Sequence, residues 1–182
     1  TITFQRMDDG ILWTYGDEIL LSKINRLHIS SPQDQPINVP SIERGNDGFT
    51  PAYHGNLEVS KYEDGLALIN ELPLEQYLYT VVPSEMPLRF GIEPLKAQAV
   101  AARTYAIYSV MKSGFRFAAA HVDDSIASQV YNNTPAYPLT NQAVDGTRGE
   151  VLFFEGRPIN ASFFSTSWGF TANNNAVWED SI

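Results

Sequence analysis

Over residues 1–31 apolar and polar positions alternate loosely. Short runs such as Ile11-Leu12-Trp13 and Glu18-Ile19-Leu20-Leu21 are separated by Asp-Gly and Gly-Asp breaks. A period of two with frequent turn residues predicts short strands joined as hairpins. Residues 32–51 lose the alternation. They hold Pro32, Pro36, Pro40 and Pro51 together with Gly45 and Gly48, so a loop or linker is expected there. The alternation then returns in Leu57-Glu58-Val59-Ser60 and Leu66-Ala67-Leu68-Ile69-Asn70. An Asp64-Gly65 pair lies between them, a strong local signal for a hairpin.

From residue 74 the period lengthens. Leu74, Tyr77, Leu78, Val81 and Val82 recur at helical spacing after Pro73, predicting a short helix over 74–82. Pro83, which has no amide hydrogen to donate, is expected to stop it. A longer helix is predicted from about Glu93 to Lys112. Pro94 suits its first turn, Lys112 suits its negative end, and Gly114 is placed to leave it. Alanines at 97, 99, 101, 102 and 106 favour the helix and let neighbouring elements approach closely. After residue 118 turns and strands resume. A last hairpin is expected between 150–154 and 158–164, around Glu155-Gly156-Arg157.

Composition narrows the possible functions. The chain has 182 residues, 43% hydrophobic and 18% charged, which fits one domain with a core, or one with a small added lobe. A net charge of −9 argues against nucleic acid as a partner, and an anionic polymer would need a locally basic groove. The acidic pairs Asp8-Asp9, Asp17-Glu18 and Asp123-Asp124 read as solvated surface. Without cysteine there is no disulfide, thiol nucleophile or cysteine metal site, and His28, His54 and His121 lack metal-ligand spacing. No metal or cofactor is therefore expected. No apolar run approaches the ~20 residues of a membrane helix. The chain starts at Thr1 and stops in mid-pattern at Ile182, so it reads as a fragment of a longer protein, and any membrane anchor would lie in a segment absent from it.

Two features carry candidate chemistry. Glu85 is bracketed as Pro83-Ser84-Glu85-Met86-Pro87 between the two predicted helices. Prolines stiffen this joint, and apolar neighbours would strip water from the carboxyl and raise its pKa, as a general acid requires. The plain alternative is a loop glutamate that caps the next helix. Lys96 and Arg103, seven residues apart, share nearly one helix face. That basic stripe would either hold anionic substrate groups or pair with structural carboxylates such as Glu75 or Glu93. A cation near Glu85 would lower its pKa, against the effect of burial.

Several ordered blocks resemble the stage II sporulation protein D family. Tyr53-His54-Gly55-Asn56-Leu57-Glu58-Val59 looks like its entry strand, and Ile69-Asn70-Glu71-Leu72-Pro73-Leu74-Glu75-Gln76-Tyr77-Leu78 like its next block. Val81-Val82-Pro83-Ser84-Glu85-Met86-Pro87 and Leu95-Lys96-Ala97-Gln98-Ala99-Val100-Ala101-Ala102-Arg103-Thr104-Tyr105-Ala106 match its core signature. Ser128-Gln129-Val130-Tyr131 and Ser165-Thr166-Ser167-Trp168-Gly169-Phe170-Thr171 follow in the expected order. The resemblance covers roughly residues 53–182. It implies a peptidoglycan lytic transglycosylase, with Glu85 catalytic and Lys96, Arg103, Tyr105, Gln129, Tyr131, Ser165, Ser167 and Thr171 lining the substrate cleft. Tyr105 and Tyr131 could stack on sugar faces or belong to the core.

In the implied reaction one carboxyl protonates the bond between N-acetylmuramic acid and N-acetylglucosamine. It then takes the proton from the sugar's own 6-hydroxyl, closing a 1,6-anhydro ring. An ordinary glycosidase needs a second carboxylate, and none stands at a motif-like position beside Glu85, although a distant Asp could fold close to it. The rival readings are a lysozyme-like hydrolase and a non-catalytic glycan-binding module that enhances a cell-wall amidase. The resemblance also implies a location outside the cytoplasm, glycan strands as substrate, and an amidase as a candidate partner. The chain departs from the family at Phe170, where a glycine is usual. Strain, a sugar platform and a plug over the cleft are the three readings of that ring. The Cys/His zinc site of some members cannot form in its usual way without cysteine. The expected fold is α+β, with antiparallel strands packed on two central helices. A β-rich lobe and linker would fill 1–52, and a C-terminally truncated catalytic domain 53–182.

Overall fold

The computed structural model describes residues 1–44, 48–113, 118–164, 167–173 and 176. The fold is α+β, and the chain forms two compact units. One runs from Thr1 to Pro73, with a short returning segment that ends at Ala120. The other begins at Leu74 and resumes at His121.

The first unit is built of antiparallel strands. β1 (Ile2–Met7), β2 (Gly10–Tyr15) and β3 (Glu18–Ile24) form one sheet in sequence order. A second sheet has the order β4-β7-β8, from β4 (Arg26–Ser30), β7 (Asn56–Tyr62) and β8 (Gly65–Glu71). The hairpin predicted around Asp64-Gly65 is present, with Tyr62 opposite Gly65. β7 is the central strand, and its run Leu57-Glu58-Val59-Ser60 is buried on both faces. Glu58 accordingly needs partners, and finds Arg26 Nε at 2.9 Å and His28 Nε2 at 3.3 Å on the neighbouring strand. Of the stretch 32–51, the described residues 32–44 and 48–51 have little regular structure. β5 (Ile37–Asn38) pairs with β6 (Ala52–Tyr53), and Arg44 bridges Phe49.

The entry into β7 depends on Gly55. Its φ is +75°, and a Cβ there would lie 2.3 Å from the Glu71 carbonyl oxygen, a contact no side chain tolerates. Asn70 Nδ2 secures the same corner by donating to the carbonyls of His54 (2.8 Å) and Asn56 (3.1 Å). These family-like residues are therefore accounted for by backbone geometry.

The second unit packs three helices: α1 (Leu74–Glu85), α2 (Ile92–Ser113) and α3 (Pro138–Gly146). α2 lies within two residues of its predicted bounds, and its buried Leu95, Ala99, Ala102 and Ala106 let the other helices approach. α1 corrects the sequence reading. It does not stop at Pro83 but continues to Glu85. The proline costs at most one late hydrogen bond, ~3 kcal/mol or more in a helix interior. Against it, Leu78, Val81 and Val82 are fully buried, each contributing about 1.5–3 kcal/mol. Ser84 Oγ also donates to the Thr80 carbonyl at 2.7 Å, and Met86 N to Val82 O at 2.9 Å. Burial wins, so Glu85 ends a helix instead of sitting in a loop.

α3 is absent from the sequence reading. Its buried positions, Thr140, Ala143 and Val144, are small or polar, so nine residues give little periodic signal. The last hairpin is shorter than expected, only β9 (Phe153–Phe154) and β10 (Arg157–Pro158). Among the described residues no helix is long and apolar enough to cross a membrane.

Candidate active site

Glu85 is the last residue of α1, and the Asp123–Asn133 loop lies against it. Val130 N donates to Glu85 Oε1 at 2.6 Å, and Asn132 N donates to Ser84 Oγ at 3.2 Å. The loop is folded on its own terms by Ser125 N to Asp123 Oδ1 (2.9 Å), Ser128 N to Ser125 O (3.1 Å) and Tyr131 N to Asp124 O (3.3 Å). It is also tied to both long helices. Tyr77 Oη on α1 donates to Gln129 Oε1 at 3.0 Å, Gln129 Nε2 donates to the Ala102 carbonyl of α2 at 3.3 Å, and the Tyr131 ring stacks on Tyr77 with centroids 5.5 Å apart.

Burial raises the Glu85 pKa above the ordinary glutamate value, and the Val130 N–H opposes that rise. The position at a helix C-terminus works in the same direction as burial, since the helix dipole disfavours an anion there. Neither influence on the carboxyl is a cation or a second carboxylate. Burial therefore outweighs the one opposing influence, the Val130 N–H. A half-buried carboxyl with one oxygen occupied and a raised pKa can hold a proton at neutral pH better than a free one.

The basic stripe takes the pairing alternative. Arg103 is only 1% exposed and directs every donor into the protein. Nε and Nη2 grip Glu75 at 3.0 and 2.8 Å, and Nη2 also reaches Val144 O (3.1 Å). Nη1 reaches Glu150 O (3.2 Å) and Thr147 Oγ1 (3.4 Å). Arg103, expected in the cleft, thus joins α1, the end of α3 and the segment after it. Lys96 pairs with Glu93 at 2.8 Å, remains 36% exposed, and runs beside Gly146 of α3.

The other residues named from the sequence divide into two groups. Gln129 (0% exposed) and Tyr131 are buried in the loop that holds Glu85, so Tyr131 takes the core alternative. Tyr105 on α2 is half-buried and close enough to act on the Tyr77 hydroxyl. Ser167 and Thr171 are exposed, and Ser165 lies outside the described residues. Tyr77 and Ser84 were missed as site residues. Tyr77 counted as one more apolar position of its helix, and only its hydroxyl hinted at a polar partner. Among the described residues no three His, Asp or Glu side chains gather as a metal site.

Phe170 is 93% exposed, and it is Gly169, with φ +99°, that takes the left-handed backbone. The strain reading of Phe170 is thereby overturned. Phe170→Gly is expected to leave stability within about 0.5 kcal/mol of the parent, as for other exposed positions. A clear rise in melting temperature would contradict that.

The family model for stage II sporulation protein matches residues 62–154, just over half the chain and the whole of helices α1 to α3. The chain belongs to the stage II sporulation protein D family. It is 40% identical over 141 residues to stage II sporulation protein D of Bacillus amyloliquefaciens, covering 69% of this chain and 41% of that one. An uncharacterized protein of Brachyspira hyodysenteriae is 41% identical over 168 residues, 90% of this chain and 45% of the relative. The amidase enhancer of Bacillus subtilis is 42% identical over 102 residues, 56% of this chain and 13% of the relative. The chain thus spans less than half the length of these curated relatives. No solved structure matches it.

Proposed function

We propose that the chain is the glycan-cleaving part of a peptidoglycan lytic transglycosylase acting outside the cytoplasm, with Glu85 as its general acid and base. The observation that carries this reading is the Glu85 carboxyl itself. It is half-buried at a helix end, its pKa is raised by burial, and Val130 N–H occupies one oxygen. Glu85 protonates the oxygen leaving C1 of N-acetylmuramic acid as the C1–O bond breaks. The resulting carboxylate takes the proton of the 6-hydroxyl as O6 bonds to C1, so the acid is regenerated and no water is consumed. Two-carboxylate glycosidases place their groups about 5–9.5 Å apart. The single-acid route needs no such partner and asks only for the carboxyl that ends α1; product masses decide between it and a hydrolase.

Arg103 is committed to Glu75 inside the fold, whereas Lys96, in an exposed pair with Glu93, remains within reach of solvent. The deciding experiment is digestion of purified peptidoglycan, with and without stem peptides, followed by product masses. Anhydro products, one water lighter per cut than hydrolytic ones, support the proposal.

The pH dependence follows from the shift. The reactive form is protonated, so log(kcat/KM) is expected to fall as pH rises through the Glu85 pKa, and that limb should lie above the ordinary glutamate range. A limb at or below the ordinary value would count against the assignment.

A second reading has one specific observation in its favour, the 42% identity to an amidase enhancer. On that reading the domain binds glycan and raises the activity of a cell-wall amidase without cutting. Glycan binding with no released fragments, and faster amidase turnover on addition of the protein, would select it.

A further inference from the structure

The chemistry above uses Glu85 alone, yet a fully buried glutamine lies one residue from the group that touches it. Gln129 has both ends of its amide engaged, accepting from Tyr77 Oη and donating to Ala102 O. Its neighbour Val130 supplies the N–H on Glu85 Oε1, and two residues later Asn132 N holds Ser84 Oγ. A buried amide with both ends satisfied is costly to displace. The position of residue 129 is therefore fixed against α1 and α2 together, and Val130 N–H is fixed with it.

We propose that Gln129 is a positioning residue for Glu85, holding the Val130 N–H on Oε1 so that Oε2 is the oxygen that gives and recovers the proton. The chemical reason is that an oxygen accepting a short N–H bond is the carbonyl-like oxygen of a neutral carboxyl. The acidic proton then belongs on the other. Tyr77 is the second member of the device. Burial, and then Tyr131, Tyr105, Glu85 and Asp123, push its hydroxyl far above the usual tyrosine value, so it remains a protonated donor throughout. These are the titratable groups that gather around it, from α1, α2 and the loop. Tyr131 stacks flat on the Tyr77 ring and keeps the hydroxyl aimed at Gln129.

The inference rests on Glu85 acting as the acid, and its test separates the two ideas. Two variants are used, because Gln129→Leu could fail to fold, whereas Tyr77→Phe removes one hydroxyl and keeps the stacked ring. The Glu85 carboxyl is titrated by carbon-13 NMR without substrate, its signal identified by its loss in Glu85→Gln. Cleavage of peptide-free glycan strands is followed in parallel. Since the Val130 N–H favours the carboxylate, loosening it should move the Glu85 midpoint upward in each folded variant. The alkaline limb of activity should move up with it. kcat should fall by up to ~10²-fold, the scale of a 1 Å misplacement, with KM little changed. A merely structural role would lower the melting temperature and leave midpoint and limb unmoved, which would overturn the positioning role. Full cleavage by Glu85→Gln would instead overturn the transglycosylase reading, and Gln129's part in catalysis with it.

Discussion

Glu85→Gln is expected to lose glycan cleavage by at least ~10²-fold, the lower range for removal of a general acid–base group, while the domain stays folded. The amide oxygen can still accept the Val130 N–H, so the loop contact survives and only the transferable proton is gone. Stability should respond in a definite direction. A carboxyl whose pKa is raised on folding contributes stability below its unfolded pKa, and that contribution is lost as pH rises through the folded value. Above that pH the native state carries a half-buried carboxylate at a helix C-terminus, which glutamine removes. The variant should therefore gain in melting temperature relative to the parent as pH rises through the Glu85 midpoint. Near-normal cleavage by the folded variant would end the catalytic assignment. A variant equally stable relative to the parent at all pH values would deny that burial raises the pKa.

The largest loss of stability is expected from Arg103→Met. The guanidinium is buried and joins Glu75 on α1 to the Val144 and Glu150 carbonyls and the Thr147 hydroxyl. Removing one partner of such a pair costs about 3–5 kcal/mol, because the other charge is left without its partner. Denaturant unfolding of the second unit would measure this directly. Glu75→Met combined with Arg103→Met should recover part of the loss, since the orphaned carboxylate is then absent as well. A stable Arg103→Met that merely binds glycan poorly would restore Arg103 to the cleft.

Local sequence carried much of this protein. The hairpin at Asp64-Gly65 was readable because a period of two and a turn pair are local properties of a few adjacent residues. Helix α2 was readable because Pro94, a run of alanines and Lys112 agree over many residues. Glu85 stood out through its bracketing prolines and the family-like blocks around it. α3 was not readable, because Thr140, Ala143 and Val144 are too small and too few to give a periodic signal. The end of α1 was misread because the rule for proline is local, whereas burial of Leu78, Val81 and Val82 is not.

The sequence by itself thus determined the α+β class, helix α2, most of α1 and the central hairpin, and it singled out Glu85 as the candidate acid. Only the tertiary structure decided how that acid is tuned and held. Val130 and Gln129 lie 45 and 44 residues from Glu85 along the chain, and no local period links them to it; Tyr77 shares its helix but reaches the site only through Gln129. Their contacts exist because helix packing brings the Asp123–Asn133 loop against the end of α1. The fate of Lys96 and Arg103 was open for the same reason. Helical spacing places both charges on one face, but whether a face meets substrate or a buried carboxylate depends on what packs against it. For Arg103 the answer is Glu75 and the end of α3, because a buried guanidinium must find partners for its donors within the fold.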